Sequence, residues 1–358
     1  MMIYIDASRY SNTEKRTGVE NYSFHLINEL ARLAPKGITL ISPRKIDLPV
    51  RQIVIPFPRL WTQLRLSWEV RRNKKIDNLF VPSHLLPFIH PDNSTITIHD
   101  VAFKHHPESY GRLSRWYLDY GARQAVKGAK RIIVPSDTTK LDLIHLYKAN
   151  PDKIAVIPLG FSPSDVKVTA AEVKKIMGGW KLDVGNYFLY LGRIEHKKNT
   201  DNLIKAFQVF AHYNKKAKLV LAGFPGRGGA EILKNIPPSV KKRIVVTGYV
   251  DEKTKEVLLK NALCFVFPSR YEGFGLPLLE AMHAGIPIIA SQIPTSYEIA
   301  KDNALFFETE NSSMLAHLML RVAESESLRE EMVRQHKETL KKYSWEECAK
   351  KTLKVLTD

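Results

Sequence analysis

The sequence predicts an α/β protein of two domains, each a parallel sheet with helices packed on its faces. Three observations lead there. A chain of 358 residues buries a large core and most naturally divides in two. Short apolar, β-rich runs alternate with helical patterns along its length, the rhythm of parallel sheets. One stretch, residues 263–291 (LCFVFPSRYEGFGLPLLEAMHAGIPIIAS), holds a whole β-loop-α-β unit. Its apolar runs at 263–267 and 286–290 read as buried strands, Pro277 suits the first helical position between them, and Gly285 suits the left-handed position that ends the helix.

Taken in order, residues 2–6 (MIYID) read as the first strand. A polar loop over 8–18 leads to a helix over 18–33 with the apolar stripe Val19, Tyr22, Leu26, Leu30 and Leu33, so that Gly18 precedes a helix start. Residues 51–75 hold seven basic side chains against one acidic, and Trp61, Leu64 and Trp68 fall at i, i+3 and i+7. That pattern predicts an amphipathic helix whose aromatic stripe docks on the domain and whose basic rim is left to meet a membrane surface. Residues 94–98 alternate as a strand and deliver His99 and Asp100 at its carboxyl end, where open α/β sheets bind ligands. Residues 130–136 (KRIIVPS) and 153–160 (KIAVIPLG) complete the first sheet.

A Pro- and Ser-containing break at 161–165 and a short helix at 169–177 mark a linker over 161–184, between domains at 1–165 and 184–344. The second domain opens with a strand at 187–191 (YFLYL), then Arg193 and Lys198 in a basic loop and a helix to Phe210. Cations at a strand end are placed to neutralise a diphosphate, or else form a solvated basic loop. After the strand at 218–223 come Gly223, Gly226, Gly228 and Gly229; Pro225 interrupts them, so they read as a flexible loop rather than a dinucleotide-binding one. The strand at 243–249 ends in Thr247, Gly248 and Tyr249. Helices are expected over 312–321, 327–341 and 345–356.

Composition bounds the function. Hydrophobic residues at 44% and charged residues at 25% exclude disordered and collagen-like classes. Cys264 and Cys348 read as packing residues in a reducing compartment. The first five residues lack a signal peptide's basic region and apolar core, and no run of about eighteen apolar residues appears, so a cytoplasmic, non-spanning protein is expected. The net charge of +17, of which +10 falls before residue 161, suits nucleic acid, anionic lipid or a phosphorylated acceptor, and charge alone does not choose.

The loop between the strands of 263–291 carries the chemistry. Gly273 and Gly275 let backbone pass close to a ligand, and the N–H groups that begin the helix at Leu276 face an anion with the helix dipole behind them. Glu272 and Glu280 bracket that phosphate site, and a carboxylate accepts well from vicinal sugar hydroxyls. Singly, Glu280 reads as a solvated helix residue and the glycines as turn punctuation; jointly, they point to a phosphate-and-sugar site.

The run EGFGLPLLE (272–280) resembles the acid-spacer-acid signature of retaining glycosyltransferase family four, whose GT-B fold sets two Rossmann-like domains facing across a cleft. LGRIEHKKNTDNLIKAF (191–207) is similar to the family's strand-loop-helix, and IHDVAFKHHPESY (98–110) resembles mannosyltransferase B-like enzymes of O-antigen and polysaccharide synthesis. The resemblance implies Glu272 near the donor sugar, backbone amides at Phe274 and Gly275 on the diphosphate, Glu280 on the ribose, and Thr247, Gly248 and Tyr249 at the base. It also implies His99 on the transferred sugar, Gly18 near the diphosphate and a tail helix at 345–358 crossing back to the first domain; Glu20 stands where the family often has a second glycine.

The expected activity is retaining transfer of a hexose, mannose favoured, from a nucleotide diphosphate sugar to a glycan or lipid-linked glycan. GDP-mannose is favoured over a UDP-sugar, and localisation is cytoplasmic or peripheral on the inner face of the cell membrane. No DxD-type acidic pair suits a metal and the basic side chains can take its role, so no metal and no cofactor beyond the donor are expected. A nucleotide-sugar epimerase of the same architecture is the nearest alternative. A nucleic-acid-binding protein rests on the pI near 9.6 alone, without any recognisable motif.

Overall fold

A computed structural model describes residues 2–13, 16–57, 61–164 and 166–358. The chain divides into two compact units, Met1–Gly160 with Tyr343–Asp358 and Phe161–Lys342. Residue 165, the expected end of the first domain, lies outside the described residues.

Among the described residues, the first unit is built on a seven-stranded parallel sheet: β1 (Ile3–Asp6), β2 (Ile38–Ser42), β3 (Arg51–Val54), β4 (Asn78–Val81), β5 (Asn93–Thr97), β6 (Arg131–Val134) and β7 (Ile154–Val156), in the order β3-β2-β1-β4-β5-β6-β7. The central strands are buried along their whole length, as a sheet covered on both faces requires. The second unit carries a six-stranded parallel sheet: β8 (Tyr187–Leu191), β9 (Lys218–Ala222), β10 (Ile244–Gly248), β11 (Cys264–Phe267), β12 (Ile288–Ser291) and β13 (Leu305–Phe307), in the order β10-β9-β8-β11-β12-β13. Both are doubly wound Rossmann-like units, so the α/β class holds.

Three expectations change. Residues 51–75 are not one amphipathic helix: Arg51–Val54 is the edge strand β3, Trp61–Leu66 is a π-helical turn, and only Ser67–Arg72 is α-helical. The wider π winding breaks the i, i+3, i+7 register. Trp61 is therefore buried, its Nε1 donating to Asp6 Oδ1 at 3.0 Å, while Leu64 and Trp68 stay about half exposed. The helix expected over 327–341 is two, Glu326–Val333 and His336–Leu340. The glycine-rich segment after β9 is not loose, as shown below.

The last helix, Trp345–Thr357, packs within the first unit against the helix Gly18–Leu33. A Cβ at Gly160 would stand 2.3 Å from the Trp345 backbone nitrogen, so glycine is required there. Asn78 Nδ2, at the start of β4, donates to the Leu356 carbonyl at 3.0 Å. Both cysteines are free and buried, and burial pushes the Cys348 thiol up to about 12.

Candidate active site

In the second unit the strand order reverses between β8 and β11, which opens the crevice where doubly wound sheets place ligands. The loops leaving these two neighbouring strands bring Lys198 and Glu272 together, with Nζ 2.5 Å from Oε1. Ser269 Oγ donates to the same oxygen at 2.6 Å, and Thr295 Oγ1 donates to the Glu272 carbonyl at 2.7 Å. Side chain and backbone of Glu272 are thus both tethered. Lys198 owes its place to a 3₁₀ turn, His196–Lys198, closed by Asn199 in the left-handed conformation with φ 59°, which asparagine tolerates better than most residues. Arg193 is exposed on the same loop and, among the described residues, has no ion-pair partner.

Past Glu272 the helix Leu276–Ala284 begins after Gly275 and ends at Gly285, whose φ of 68° is the expected left-handed cap. Pro277 is the second helical residue rather than the first, and supplies no N–H. Among the described residues no acceptor takes the N–H of Gly275 or Leu276, so two donors at a helix start remain available to an anion. A side chain at Gly275 would crowd Ile299 and Leu278, at 3.1 and 3.2 Å. Gly273 and Phe274 lie between Glu272 and this start.

Glu280 is not the solvated residue its position alone suggests. Its Oε1 lies 2.8 Å from Lys255 Nζ, and that ammonium also meets Glu252 Oε2 at 2.8 Å. Burial works against the Lys255 charge, yet the two carboxylates hold its pKa above the ordinary lysine value.

The glycine-rich segment after β9 is clamped against the Arg193 loop. Ile194 N donates to Phe224 O at 3.0 Å, and Gly226 N returns to Ile194 O at 2.9 Å. Gly223, at φ 152°, leaves 1.9 Å between a would-be Cβ and Gly192 O, so only glycine fits. The helix resumes at Gly229. Phe224 is thereby set beside Tyr249, with ring planes 18° apart and centroids at 6.0 Å, both rings largely exposed. Thr247 turns its hydroxyl onto the Gly248 carbonyl at 2.9 Å, and Gly248 adopts φ 71°.

In the first unit the strand order reverses between β1 and β4. His99, just past β5, is partly buried; its ring meets Tyr22 edge-on at 4.6 Å and His84 at 5.1 Å, and His84 Nδ1 accepts the His99 backbone N–H at 3.4 Å. Burial, with the neighbouring His84, pushes His99 down to about 3, so its imidazole is neutral near pH 7. Gly18 is the first residue of the helix Gly18–Leu33, capped by Thr17. Glu20 completes a capping box: Thr17 N donates to Glu20 Oε2 at 2.8 Å, and Glu20 N is taken by Thr17 Oγ1 at 3.4 Å. Residue 20 therefore serves the helix end, where a second glycine would leave an open backbone donor.

Sequence reasoning missed Lys255, His84, Ser269, Thr295 and Asp6. Only Ser269 carried a local signal, three residues before Glu272; the others reach their partners from different elements. Among the described residues no three His, Cys, Asp or Glu side chains gather as a metal site needs. Among the described residues no helix is long and apolar enough to cross a membrane.

Residues 16–165 match the model for Glycosyltransferase Family 4, and residues 176–339 that for Glycosyl transferases group 1. O-antigen chain mannosyltransferase B of Escherichia coli is 26% identical over 307 residues, 84% of this chain and 79% of that one. O-antigen chain mannosyltransferase RfbU of Salmonella typhimurium is 27% identical over 247 residues, 69% and 64% of the two chains. The solved structure of Anabaena Alr3699/HepE in complex with UDP and glucose aligns with TM-score 0.72 at 14% identity, over 100% of this chain and 99% of that one. Two doubly wound units with an acid-flanked loop at a switch point, matched by these models, define a glycosyltransferase of the GT-B class. The chain is a glycosyltransferase built of a family four domain followed by a group 1 domain.

Proposed function

We propose that the protein is a retaining hexosyltransferase that moves mannose from GDP-mannose to a glycan or lipid-linked glycan. The observation that carries the donor reading is the Glu272–Lys198 pair beside the two available N–H groups of Gly275 and Leu276. A diphosphate accepts from those donors, Arg193 and Lys198 offset its charge, and Glu280 accepts from the ribose. Mannose is supported by the mannosyltransferases among the relatives, which match over most of this chain.

In this reaction the bond from the anomeric carbon to the phosphate oxygen breaks, and the nucleoside diphosphate leaves with the electron pair. The acceptor hydroxyl enters from the same face, and its proton passes to the departing phosphate oxygen. Glu272 orients the sugar and stabilises its developing positive charge. The arginine and lysine stand in for a metal's charge.

The test is thermal stabilisation by GDP, UDP and ADP, followed by product analysis with the matching mannose donor and a glycan acceptor. A ligand at a hundred times its dissociation constant adds about 2.7 kcal/mol, which reads as a rise of a few degrees. Preference for UDP overturns the donor assignment. Conversion of the free sugar nucleotide without acceptor shows an epimerase instead.

A further inference from the structure

We propose that Lys255 is a positioning residue for the donor ribose, acting through Glu280; this rests on the ribose role given to Glu280 above. Lys255 lies on the helix Glu252–Lys260 and Glu280 on the helix Leu276–Ala284, so their contact is made by the fold and not by helix periodicity. The Lys255 side chain is 20% exposed, and its ammonium sits 2.8 Å from one oxygen of each of two carboxylates, Glu280 and Glu252.

Three physical consequences follow from that placement. The last torsion of a glutamate is broad, and a charged hydrogen bond to Oε1 selects one setting of it. With Oε1 committed, Oε2 is the oxygen left to accept from sugar hydroxyls, and a carboxylate has lone pairs enough to do both. Removing the ammonium leaves Glu280 and Glu252, which both reach one nitrogen, facing each other as like charges, and the acid turns away. Lys255 therefore touches no reacting atom; it decides where the Glu280 carboxylate points.

The experiment compares a nucleoside diphosphate, whichever of GDP, UDP and ADP stabilises the protein most, with its 2′-deoxy and 3′-deoxy analogues. Dissociation constants are measured for the native protein, Lys255→Met, Lys255→Arg, Glu280→Ala and the Lys255→Met/Glu280→Ala double variant. The native protein should lose about tenfold in affinity for an analogue lacking a hydroxyl that a carboxylate accepts. Lys255→Met should bind native nucleotide and analogues nearly alike, Lys255→Arg should regain the discrimination, and the double variant should bind no worse than Glu280→Ala. Should the methionine variant fail to fold, Lys255→Gln, an uncharged donor toward Glu280, should show intermediate discrimination. Full discrimination retained in Lys255→Met or Lys255→Gln, or equal weakening of all three nucleotides, overturns the positioning role. Discrimination retained in Glu280→Ala, or no binding of any of the three nucleotides, overturns the ribose role of Glu280 instead.

Discussion

Glu272 and Glu280 share a motif and differ in surroundings. One is fixed by a lysine and a serine hydroxyl beside a helix start, and the other by a lysine from a neighbouring helix. A charge already in place at the reacting centre matters most in the transition state, whereas a ribose contact is made equally in ground and transition states. Glu272→Ala is therefore expected to lower kcat with little change in nucleotide affinity, and Glu280→Ala to do the reverse. Steady-state kinetics beside nucleotide titration decides, and equal losses of affinity alone in both variants would sink the assignment. Lys198→Ala should cost on the order of a hundredfold in turnover, and excess chelator nothing; a strict requirement for added divalent metal refutes that arrangement.

His99 offers a second test at this scale. Its folded pKa lies near 3, below the ordinary 6.5. A depressed imidazole binds fewer protons folded than unfolded, so its contribution to stability is intact above pH 6.5 and is lost as pH falls toward 3. His25 behaves alike, lowered to about 4 by burial with Arg16 nearby. The expected result in a proton NMR titration is that neither ring shifts between pH 8 and pH 5. A midpoint near 6.5 for His99 means that its ring is solvated. Its strand-end position was legible in the sequence, but its ring partners Tyr22 and His84 come from other elements and were not.

At the scale of elements, the sequence was informative where local chemistry sets the end of a helix. Gly285 as a left-handed cap follows from residue type and neighbours. It misled where an element's identity depends on what lies opposite. The Trp61, Leu64, Trp68 spacing fits a helical stripe, yet the Asp6 carboxylate fixes the Trp61 indole while the π turn throws Trp68 outward, where the Arg65 guanidinium stacks on it at 4.4 Å. The glycines at 223–229 look like slack, and only the contact with the Gly192 carbonyl shows why Gly223 has no side chain. Gly223→Ala is expected to lower the thermal midpoint by several degrees, because the atoms a Cβ would meet, Gly192 O at 1.9 Å and Gly192 C at 2.7 Å, are backbone and not a flexible side-chain tip. Thr17→Ala should cost only about 1 kcal/mol, the usual loss of an N-cap. An unchanged midpoint in Gly223→Ala means that the two loops are not clamped.

For the molecule as a whole, charge and surface suggest where it works. Trp68 and Leu64 are exposed among Arg65, Arg71 and Arg72, and on the helix Arg112–Gly128 Leu113 and Trp116 are exposed next to Arg112 and Arg115. Arg59, a further member of the basic stretch, lies outside the described residues. Interfacial cations contribute about 1 kcal/mol each and are screened by salt, so several together attach a protein reversibly to an anionic surface. We expect the native chain to co-sediment with anionic vesicles at low salt, and the Arg71, Arg72, Lys74 and Lys75→Gln variant to do so weakly. Equal binding of the two, or none by the native chain, reduces the patch to a solvated face.

The sequence by itself determined the class of the protein. Strand and helix signals, glycine and proline punctuation and the nine residues 272–280 are local properties, and they sufficed for two doubly wound units and for the loop on which the family rests. Tertiary structure alone decided which charges meet. Lys198 reaches Glu272 across 74 positions and Lys255 reaches Glu280 across 25, because β8 lies beside β11 and one helix packs on another. Spacing along a chain predicts neighbours only within a helix or strand. Pairing between elements is set by sheet order and packing, which close long loops at a slowly growing entropic cost and leave no mark in the residues between.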